Sequence, residues 1–414
     1  MRAPIEIWQE IIDYLLFDPV LFLPDPYYSG CNLHTALFEW VDGNRGRKLE
    51  IQRATLRLVS RSWKILADSS MWQYFEPFPC GERPYQLSRT HRARRIQFSC
   101  CSRGYFPLRG DYSCSACSKY WEDVVFGDSD LNIDSLPLRV VILKLPRWTL
   151  ERPSFEQLGC RADYLLPNLQ ALFIQVKESL PVSILGLLSR LTFLGVRFYD
   201  PDEFSKHLEP VVLHVKSLQL NFCEEITTDL LQNWDMPALS HLEIALTASI
   251  RDQRFIYKLV ERVGIKLISL RLHFDCDYVS IPRYLWQNMP MLEYFGVSAL
   301  EHPVATPPAL PYGHPLRTFA ILEKEIHMSR ARSDAMHFVN NWGDLTAVAD
   351  SHHWKNVPRD FQTKSQPHTG FFHNHTEKFC LKCVDSLYVA CEARGLRYED
   401  MTGKTFSEYL SKSS

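Results

Sequence analysis

A six-residue apolar frame, repeated along the chain, constrains the fold more than any other feature of this sequence. The frame reads L-x-x-L-x-L with apolar substitutes, and successive copies begin 22, 24, 24, 28, 25 and 24 residues apart. The copies begin at Leu169, Leu191, Val215, Leu239, Leu267, Leu292 and Leu316, with an earlier one at Leu138. The alternation that ends each frame predicts a short strand with one buried face. One such unit cannot bury that face alone, so the spacing predicts stacked units.

The spacing falls in the 20–29-residue range of leucine-rich repeats. The copy LQLNFCEEITTDLL also resembles the cysteine-containing form of that repeat. The resemblance implies that Cys223, and Cys276 in the equivalent place, are buried structural residues. The predicted fold class is therefore α/β, with a curved solenoid of parallel strands and outer helices over residues 131–400 and a polar tail over 401–414.

The residues between the frame leucines are predicted to face outward from the strands. In a curved array these positions line the concave side, where shape and charge determine which protein binds. They form a mixed-charge set with no dominant sign, which favours a protein target over nucleic acid. The candidate target-binding residues are Gln170, Arg197, Gln219, Glu243, Arg271 and Glu293.

The N-terminal segment predicts two amphipathic helices separated by a long loop. In the first, Pro4 stands at a favoured helix start, and a wide apolar stripe runs to Leu16, before Asp18-Pro19 ends the helix. The second spans Arg53–Ala67 as one continuous helix with an apolar side and a solvated basic side that includes Arg53. Its apolar residues follow helical spacing at Leu56, Val59, Trp63 and Leu66. Between the helices, Pro, Gly and Asn predict irregular structure with one short helix near 33–41.

Together, PIEIWQEIIDYLL and TLRLVSRSWKILADSSMW resemble an F-box over residues 1–75. This resemblance implies a three-helix motif that docks on the Skp-type adaptor, and through it on the cullin, of cullin–RING ubiquitin ligases. Two features depart from the family pattern. Ala3 stands where the family has a leucine, and the predicted loop at about 18–49 is an insertion. The implied adaptor-binding residues are Pro4, Ile7, Trp8, Ile11, Ile12, Leu15, Leu16, Leu56, Leu58, Val59 and Trp63.

Residues 76–130 are predicted to be a linker that contains a basic segment and several cysteines. The basic segment, 88–97, is interpreted either as a solvated face or as a nuclear-import or phosphate-contacting patch. Cys114 and Cys117 form a Cys-x-x-Cys that could bind zinc with Cys100, Cys101, His91 or Cys80. A second such pair, Cys380 and Cys383, follows His368, His373 and His375. The alternative for both pairs is ordinary reduced thiols, and no metal or cofactor is assigned.

Composition narrows the functional class. The formal net charge of −2 argues against general polyanion binding, and no apolar run is long enough to span a bilayer. Scattered cysteines without an export signal favour the cytoplasm or nucleus. No G-x-S-x-G or H-E-x-x-H motif occurs, and Gly403-Lys404-Thr405 lacks the glycine that begins a phosphate-binding loop.

The sequence therefore predicts a non-catalytic substrate-recognition subunit of a ubiquitin ligase. The N-terminal motif would bind the adaptor, and the repeats would bind a target protein. Two alternatives remain: a leucine-rich-repeat scaffold without a ligase role, and a zinc or thiol enzyme that uses the cysteine pairs.

Overall fold

A computed structural model describes residues 4–24, 43–75, 93–97, 141–144, 168–176, 185–186, 188–198, 210–222, 233–246, 254–274, 284–297, 311, 313–321, 347–350 and 397–399. The chain divides into two compact units, which are described separately. The first comprises Met1–Leu218 with Gln232–Ala238, and the second comprises Gln219–Leu231 with Leu239–Ser414.

The first unit begins with helices around a small apolar core. They are α1 (Ile5–Leu16), α2 (Pro19–Phe22), α3 (Gly43–Val59) and α4 (Arg61–Ser69). Helix α1 begins directly after Pro4 and ends at Leu16, three residues before Pro19, in agreement with the helix predicted from the sequence. Trp8, Phe17, Trp63 and Trp72 pack against the core from its edge. We refer to the fully buried set as the helical core: Ile12, Leu16, Leu21, Phe22, Leu49, Leu56, Leu66, Ala67 and Tyr74.

The prediction of one continuous helix over Arg53–Ala67 is wrong. Ser60 has extended backbone angles, and its hydroxyl accepts a hydrogen bond from the Trp63 backbone N–H at 3.1 Å. A serine in this role caps a new helix, so the chain turns between α3 and α4. The irregular loop predicted over 18–49 is also partly wrong, because α2 and the first two turns of α3 lie within it. The predicted short helix near 33–41 lies outside the described residues.

Parallel strands follow the helices in the first unit. In the order in which they pair, they are β1 (Tyr74–Phe75), β2 (Arg95–Gln97), β3 (Ile142–Lys144), β4 (Ala171–Val176) and β5 (Phe193–Phe198). The described strands therefore begin upstream of the first sequence frame, and β2 lies within the range predicted to be a linker. A separate parallel pair joins β6 (Val211–Val212) to β8 (Trp234–Asp235). The boundary between the two units falls inside β7 (Ser217–Phe222).

The second unit continues the same strand pattern. Its parallel strands pair in chain order: β9 (His241–Leu246), β10 (Ser269–Phe274), β11 (Tyr294–Val297), β12 (Thr318–Ile321), β13 (Ala347–Asp350) and β14 (Arg397–Glu399). Helix α5 (Arg254–Val263) and a 3-10 turn (Gly264–Lys266) connect β9 to β10. Helix α6 (Leu285–Asn288) lies between β10 and β11. Strand followed by a returning helix is the expected connection between parallel strands.

One backbone hydrogen-bond pattern recurs at the start of the strands. In the first unit, the carbonyls of Gln73, Arg94, Val141, Gln170 and Thr192 each accept two successive N–H groups at the next strand. In the second unit, the carbonyls of Ser240, Ile268 and Glu293 do the same. For example, the Ser240 carbonyl accepts from Ile268 N at 2.8 Å and from Ser269 N at 3.1 Å. The strands therefore repeat in backbone geometry as well as in apolar residues.

The apolar frame of the sequence matches the buried side of these strands. In the seven copies from Leu169 to Leu316, every frame residue whose side chain is described is at most 3% exposed. This confirms the predicted strands and their parallel arrangement with intervening helices. None of the helices among the described residues combines the length and apolar character needed to cross a bilayer.

Candidate functional site

Helix α1 carries apolar residues on two sides. Its inward side contributes to the helical core or packs against it through Trp8, Ile12 and Leu16. Ile7, Ile11, Tyr14 and Leu15 are spaced at i, i+4, i+7 and i+8, so they share another side of the helix. All four are exposed, and Tyr14 is 82% exposed. We refer to these four residues as the docking stripe. None of the four belongs to the helical core, and each keeps exposed side-chain surface.

Helices α3 and α4 divide their apolar residues in the same way. Leu56 is buried in the helical core, while Leu58 is 87% exposed and Val59 is also exposed. Trp63 is half-buried, and its ring centroid lies 5.5 Å from that of Trp8. Gln52 donates to the Leu15 carbonyl at 3.1 Å. Val59, seven residues after Gln52, lies on the same side of α3, so it faces towards α1.

The predicted adaptor-binding residues therefore fall into three groups. Ile12, Leu16 and Leu56 are core residues, so any effect of substituting them includes loss of stability. Trp8 and Trp63 are half-buried, and their rings contact each other at an angle of 47°. The exposed members are Pro4, Ile7, Ile11, Leu15, Leu58 and Val59. The sequence did not single out Tyr14, Ile51 or Ile65 as site residues, and all three are exposed. The spacing of Tyr14 seven residues after Ile7 could have identified it.

Two buried arginines hold the helices in place. Arg53 is 5% exposed and donates to the Ala67 and Trp72 backbone carbonyls. The prediction that it lies on a solvated side is wrong. Arg53 is drawn inward because Ala67 lies in the last turn of α4, where backbone carbonyls lack hydrogen-bond donors within the helix. Arg53 supplies that missing donor, and its Nε lies 3.2 Å from the Glu50 carboxylate.

Arg95 links the helices to the first strands. It is fully buried, and it donates to the Leu21 carbonyl at 3.2 Å and to Gln97 Oε1 at 3.0 Å. The neighbouring Arg94 guanidinium lies 4.7 Å from the centre of the Trp72 ring. The interpretation of the basic segment as a solvated face is therefore wrong for Arg95. The earlier part of that segment, 88–92, lies outside the described residues.

The strands of the second unit also bury charged side chains, and here an acid and a base pair with each other. Gln219 Nε2 donates to Glu243 Oε1 at 3.0 Å, and Arg271 Nη1 donates to Glu243 Oε2 at 3.2 Å. Arg271 and Glu243 stand directly opposite each other in the β9–β10 ladder. His273 Nε2 lies 3.3 Å from Glu243 Oε1. We refer to Gln219, Glu243 and Arg271 as the polar row.

This burial corrects part of the predicted target-binding set. Glu243 is 6% exposed and Arg271 is 5% exposed, and they satisfy each other's charge. They are therefore internal residues in this structure rather than contact residues. Gln170, Arg197 and Gln219 are partly exposed, and Glu293 is exposed. Those four positions keep side-chain surface that a target could contact.

The polar row has a defined charge state at neutral pH. Burial raises the pKa of Glu243, but the Arg271 charge, the nearby His273 imidazole and the hydrogen bond from Gln219 lower it to about 2. Burial lowers the pKa of His241 to about 4. Burial also raises the pKa of the Tyr294 phenol above its usual range. At neutral pH the Glu243 carboxylate is therefore charged and paired with the Arg271 guanidinium. The imidazole of His241 and the phenol of Tyr294 are neutral.

Several predicted sites lie outside the described residues. These are the candidate zinc ligands Cys114, Cys117, Cys380 and Cys383, and the structural cysteines Cys223 and Cys276. Within the described part of the chain, no three metal-ligating side chains converge. No protein-family model matches the chain, and no curated protein matches it either.

Proposed function

We propose that this chain is the substrate-recognition subunit of a cullin–RING ubiquitin ligase in the cytosol or nucleus. The N-terminal helices would form an F-box that binds a Skp-type adaptor. The strands would belong to a leucine-rich-repeat solenoid that binds the protein to be ubiquitinated. The chain itself would contribute no reacting group.

The observation that carries the proposal is the docking stripe. A small helical core is already closed by Ile12, Leu16 and their neighbours, yet α1 exposes Ile7, Ile11, Tyr14 and Leu15 beside it. Contiguous exposed apolar surface of this kind marks interaction sites. The sequence of these helices resembles a motif whose role is to dock on an adaptor, and the stripe supplies a surface for that role.

The repeat array supports the second half of the proposal. Strand geometry and buried frame residues recur at the spacing of leucine-rich repeats, which supports such an array. Such arrays bind proteins on an extended face. The partly exposed or exposed Gln170, Arg197, Gln219 and Glu293 are the candidate target contacts. The mechanism would be proximity, because a tethered target meets the ubiquitin-charged enzyme at high effective concentration.

The decisive experiment measures binding of the full chain to a purified Skp-type adaptor by calorimetry. We expect a complex with micromolar or tighter affinity. Replacing Ile7 and Ile11 together by Asp should weaken it by about a hundredfold or more, because two apolar contacts would become charges. Ile265→Asp is the matched control, because Ile265 is also an exposed isoleucine but lies in the second unit.

The same experiment separates the proposal from its alternatives. A folded chain that shows no adaptor binding would rule out the ligase role and favour a repeat scaffold without it. Equal binding by the double variant and the unmodified chain would place the adaptor elsewhere and remove the observation on which the proposal rests. The unfolding temperature of each variant shows whether it is folded.

A further inference from the structure

Helix α3 has two apolar faces, and only one of them is covered. Gly46, Leu49, Arg53 and Leu56 face inward, and a Cβ at Gly46 would meet the Tyr74 ring at 2.4 Å. On the opposite side, Ile51, Ala54 and Leu58 are spaced at i, i+3 and i+7, and all three are exposed. Ile51 is 67% exposed. We refer to these three residues as the α3 stripe.

The charged residues classed as exposed on α3 and in the first turn of α4 are all cations, among the side chains that the structure describes. Glu50 is the single acidic residue of α3, and it points inward, where it accepts from Tyr74 N at 3.3 Å and pairs with Arg53. Arg57 pairs with Asp68 of α4 at 3.2 Å. Lys48, Arg61 and Lys64 are exposed. The outer surface of α3 and the start of α4 therefore join aliphatic side chains to cations.

The exposed aliphatic side chains and the cations beside them indicate what kind of surface binds the α3 stripe. A second copy of the chain would bring lysines and arginines against each other, which disfavours a symmetric pairing. A protein surface with an apolar centre and a rim of carboxylates fits both features. Leu58 already belongs to the proposed adaptor contacts, and Ile51 lies two helical turns, or about 10 Å, before it on the same line. The stripe is thus continuous with the proposed adaptor site.

We propose that the α3 stripe extends the adaptor-binding surface from Leu58 back to Ile51, and that this extension receives an apolar, carboxylate-rimmed part of the adaptor. The stripe begins two residues after the segment 18–49, where the sequence predicts an irregular insertion and where the structure has the first two turns of α3. Those two turns would therefore lengthen the helix that carries the stripe. This inference rests on the proposed ligase function and adds a contact and a charge preference to it.

The test compares Ile51→Ala with Ile265→Ala in the full chain, using calorimetry with the purified Skp-type adaptor. Both are exposed isoleucines, 67% and 62%, so their effects on folding should be equally small. We expect Ile51→Ala to weaken adaptor binding by about tenfold and Ile265→Ala to leave it unchanged.

A second comparison tests the charge preference by measuring the association rates of Lys48→Glu and of Lys258→Glu, where Lys258 is an exposed lysine on α5. Lys48→Glu should slow association several-fold at low salt, and the difference should shrink at high salt.

The outcomes separate the inference from the proposed function. If the unmodified chain binds and the Ile7/Ile11 double variant does not, but Ile51→Ala binds normally, the extension is wrong while the ligase role stands. If the unmodified chain does not bind the adaptor, both the proposed ligase function and the extended adaptor surface are wrong. Binding of the free chain to vesicles of anionic lipid, lost in Ile51→Ala, would assign the stripe to a membrane surface instead and overturn the inference.

Discussion

The N-terminal helices and the strands of the second unit break the same rule in opposite directions. Proteins generally bury apolar side chains and expose charges. The helices expose Ile7, Ile51 and Leu58 beside a complete core, whereas the strands enclose Glu243 and Arg271. The first departure creates surface that has no role in the isolated chain. The second places charge where solvent cannot screen it. The exposed apolar surface of the helices is the basis of the proposed adaptor contact, whereas the polar row is internal to the strands.

The polar row also favours one strand register. Arg271 stands opposite Glu243, and frame leucines occupy the positions on either side of Arg271. A shift by one residue would turn each side chain to the other face of the strand, placing a charge among the frame leucines. A buried pair of this kind adds little net stability, but losing one member is costly. Its role is therefore to penalise the wrong arrangement.

The largest expected effect comes from breaking this pair. Arg271→Met leaves the Glu243 carboxylate buried without its cation, so we expect a loss of about 3–5 kcal/mol in the free energy of unfolding. Urea unfolding of the full chain measures it. Adding Glu243→Leu should restore most of the loss, and Glu293→Gln at an exposed position should change stability by less than about 0.5 kcal/mol. A loss below about 1 kcal/mol for Arg271→Met would mean that the pair is solvated.

The next effect is a pH dependence centred on His241. Its folded pKa of about 4 lies below the ordinary value of 6.5, so the unfolded chain binds the proton more readily. Stability should therefore fall as pH drops from about 6.5 to 4, by roughly 3 kcal/mol. Glu243, with a folded pKa of about 2, adds a further loss between about pH 4.5 and 2. His241→Gln should flatten the first slope, whereas a slope unchanged by it, or removed by replacing the exposed His214, would assign the titration elsewhere.

A smaller effect is expected at Arg53. Arg53→Met removes the donor to a buried carbonyl of Ala67 and a partly buried carbonyl of Trp72, which should cost about 2 kcal/mol in the free energy of unfolding. Chemical denaturation followed by tryptophan fluorescence reports it, because Trp72 supplies one of those carbonyls. Arg61→Met, at an exposed arginine, is the matched control. Equal costs for the two variants would contradict the bridging role of Arg53.

The smallest expected effect on stability is at Leu58, and it tests whether this exposed side chain is separate from the helical core. Leu56→Ala removes a core side chain and should cost about 2–3 kcal/mol. Leu58→Ala, two residues later and 87% exposed, should change the stability of the free chain by less than about 0.5 kcal/mol. Thermal unfolding of the two variants side by side makes the measurement. Similar costs would show that Leu58 is covered within the chain and is unavailable to a partner.

Much of the strand architecture could be predicted because one signal repeats. Each frame residue reports on burial at its own position, and parallel stacking follows once many copies share a spacing. The break between α3 and α4 at Ser60 was harder to predict, because the helical spacing of apolar residues continues from Leu56 to Trp63 across it. The capping hydrogen bond at Trp63 N depends on a single hydroxyl. Such local competition leaves no mark on an apolar pattern.

The buried charges could not be predicted for a different reason. Gln219, Glu243 and Arg271 occupy the same position in three successive copies of the frame, so strand pairing makes them neighbours, but nothing in the frame indicates that this position is buried. Arg53 and Arg95 bind backbone carbonyls, which every residue possesses. On α1, by contrast, the division between the helical core and the docking stripe follows from helical spacing. The candidate site was therefore predictable as a stripe, while its boundary with the core required the structure.

The contact between Arg95 and the Leu21 carbonyl bears on how such chains can be recombined during evolution. A crossover at residue 75 would transfer the resembling motif whole, yet it would separate a buried guanidinium from its acceptor. The transferred piece would carry a Leu21 carbonyl without its donor, and the strands left behind would keep a buried guanidinium that has lost one acceptor, so both pieces would lose stability. Exchange after Gln97 keeps donor and acceptor together. A transfer that preserves this hydrogen bond is therefore longer than the motif and includes β1 and β2.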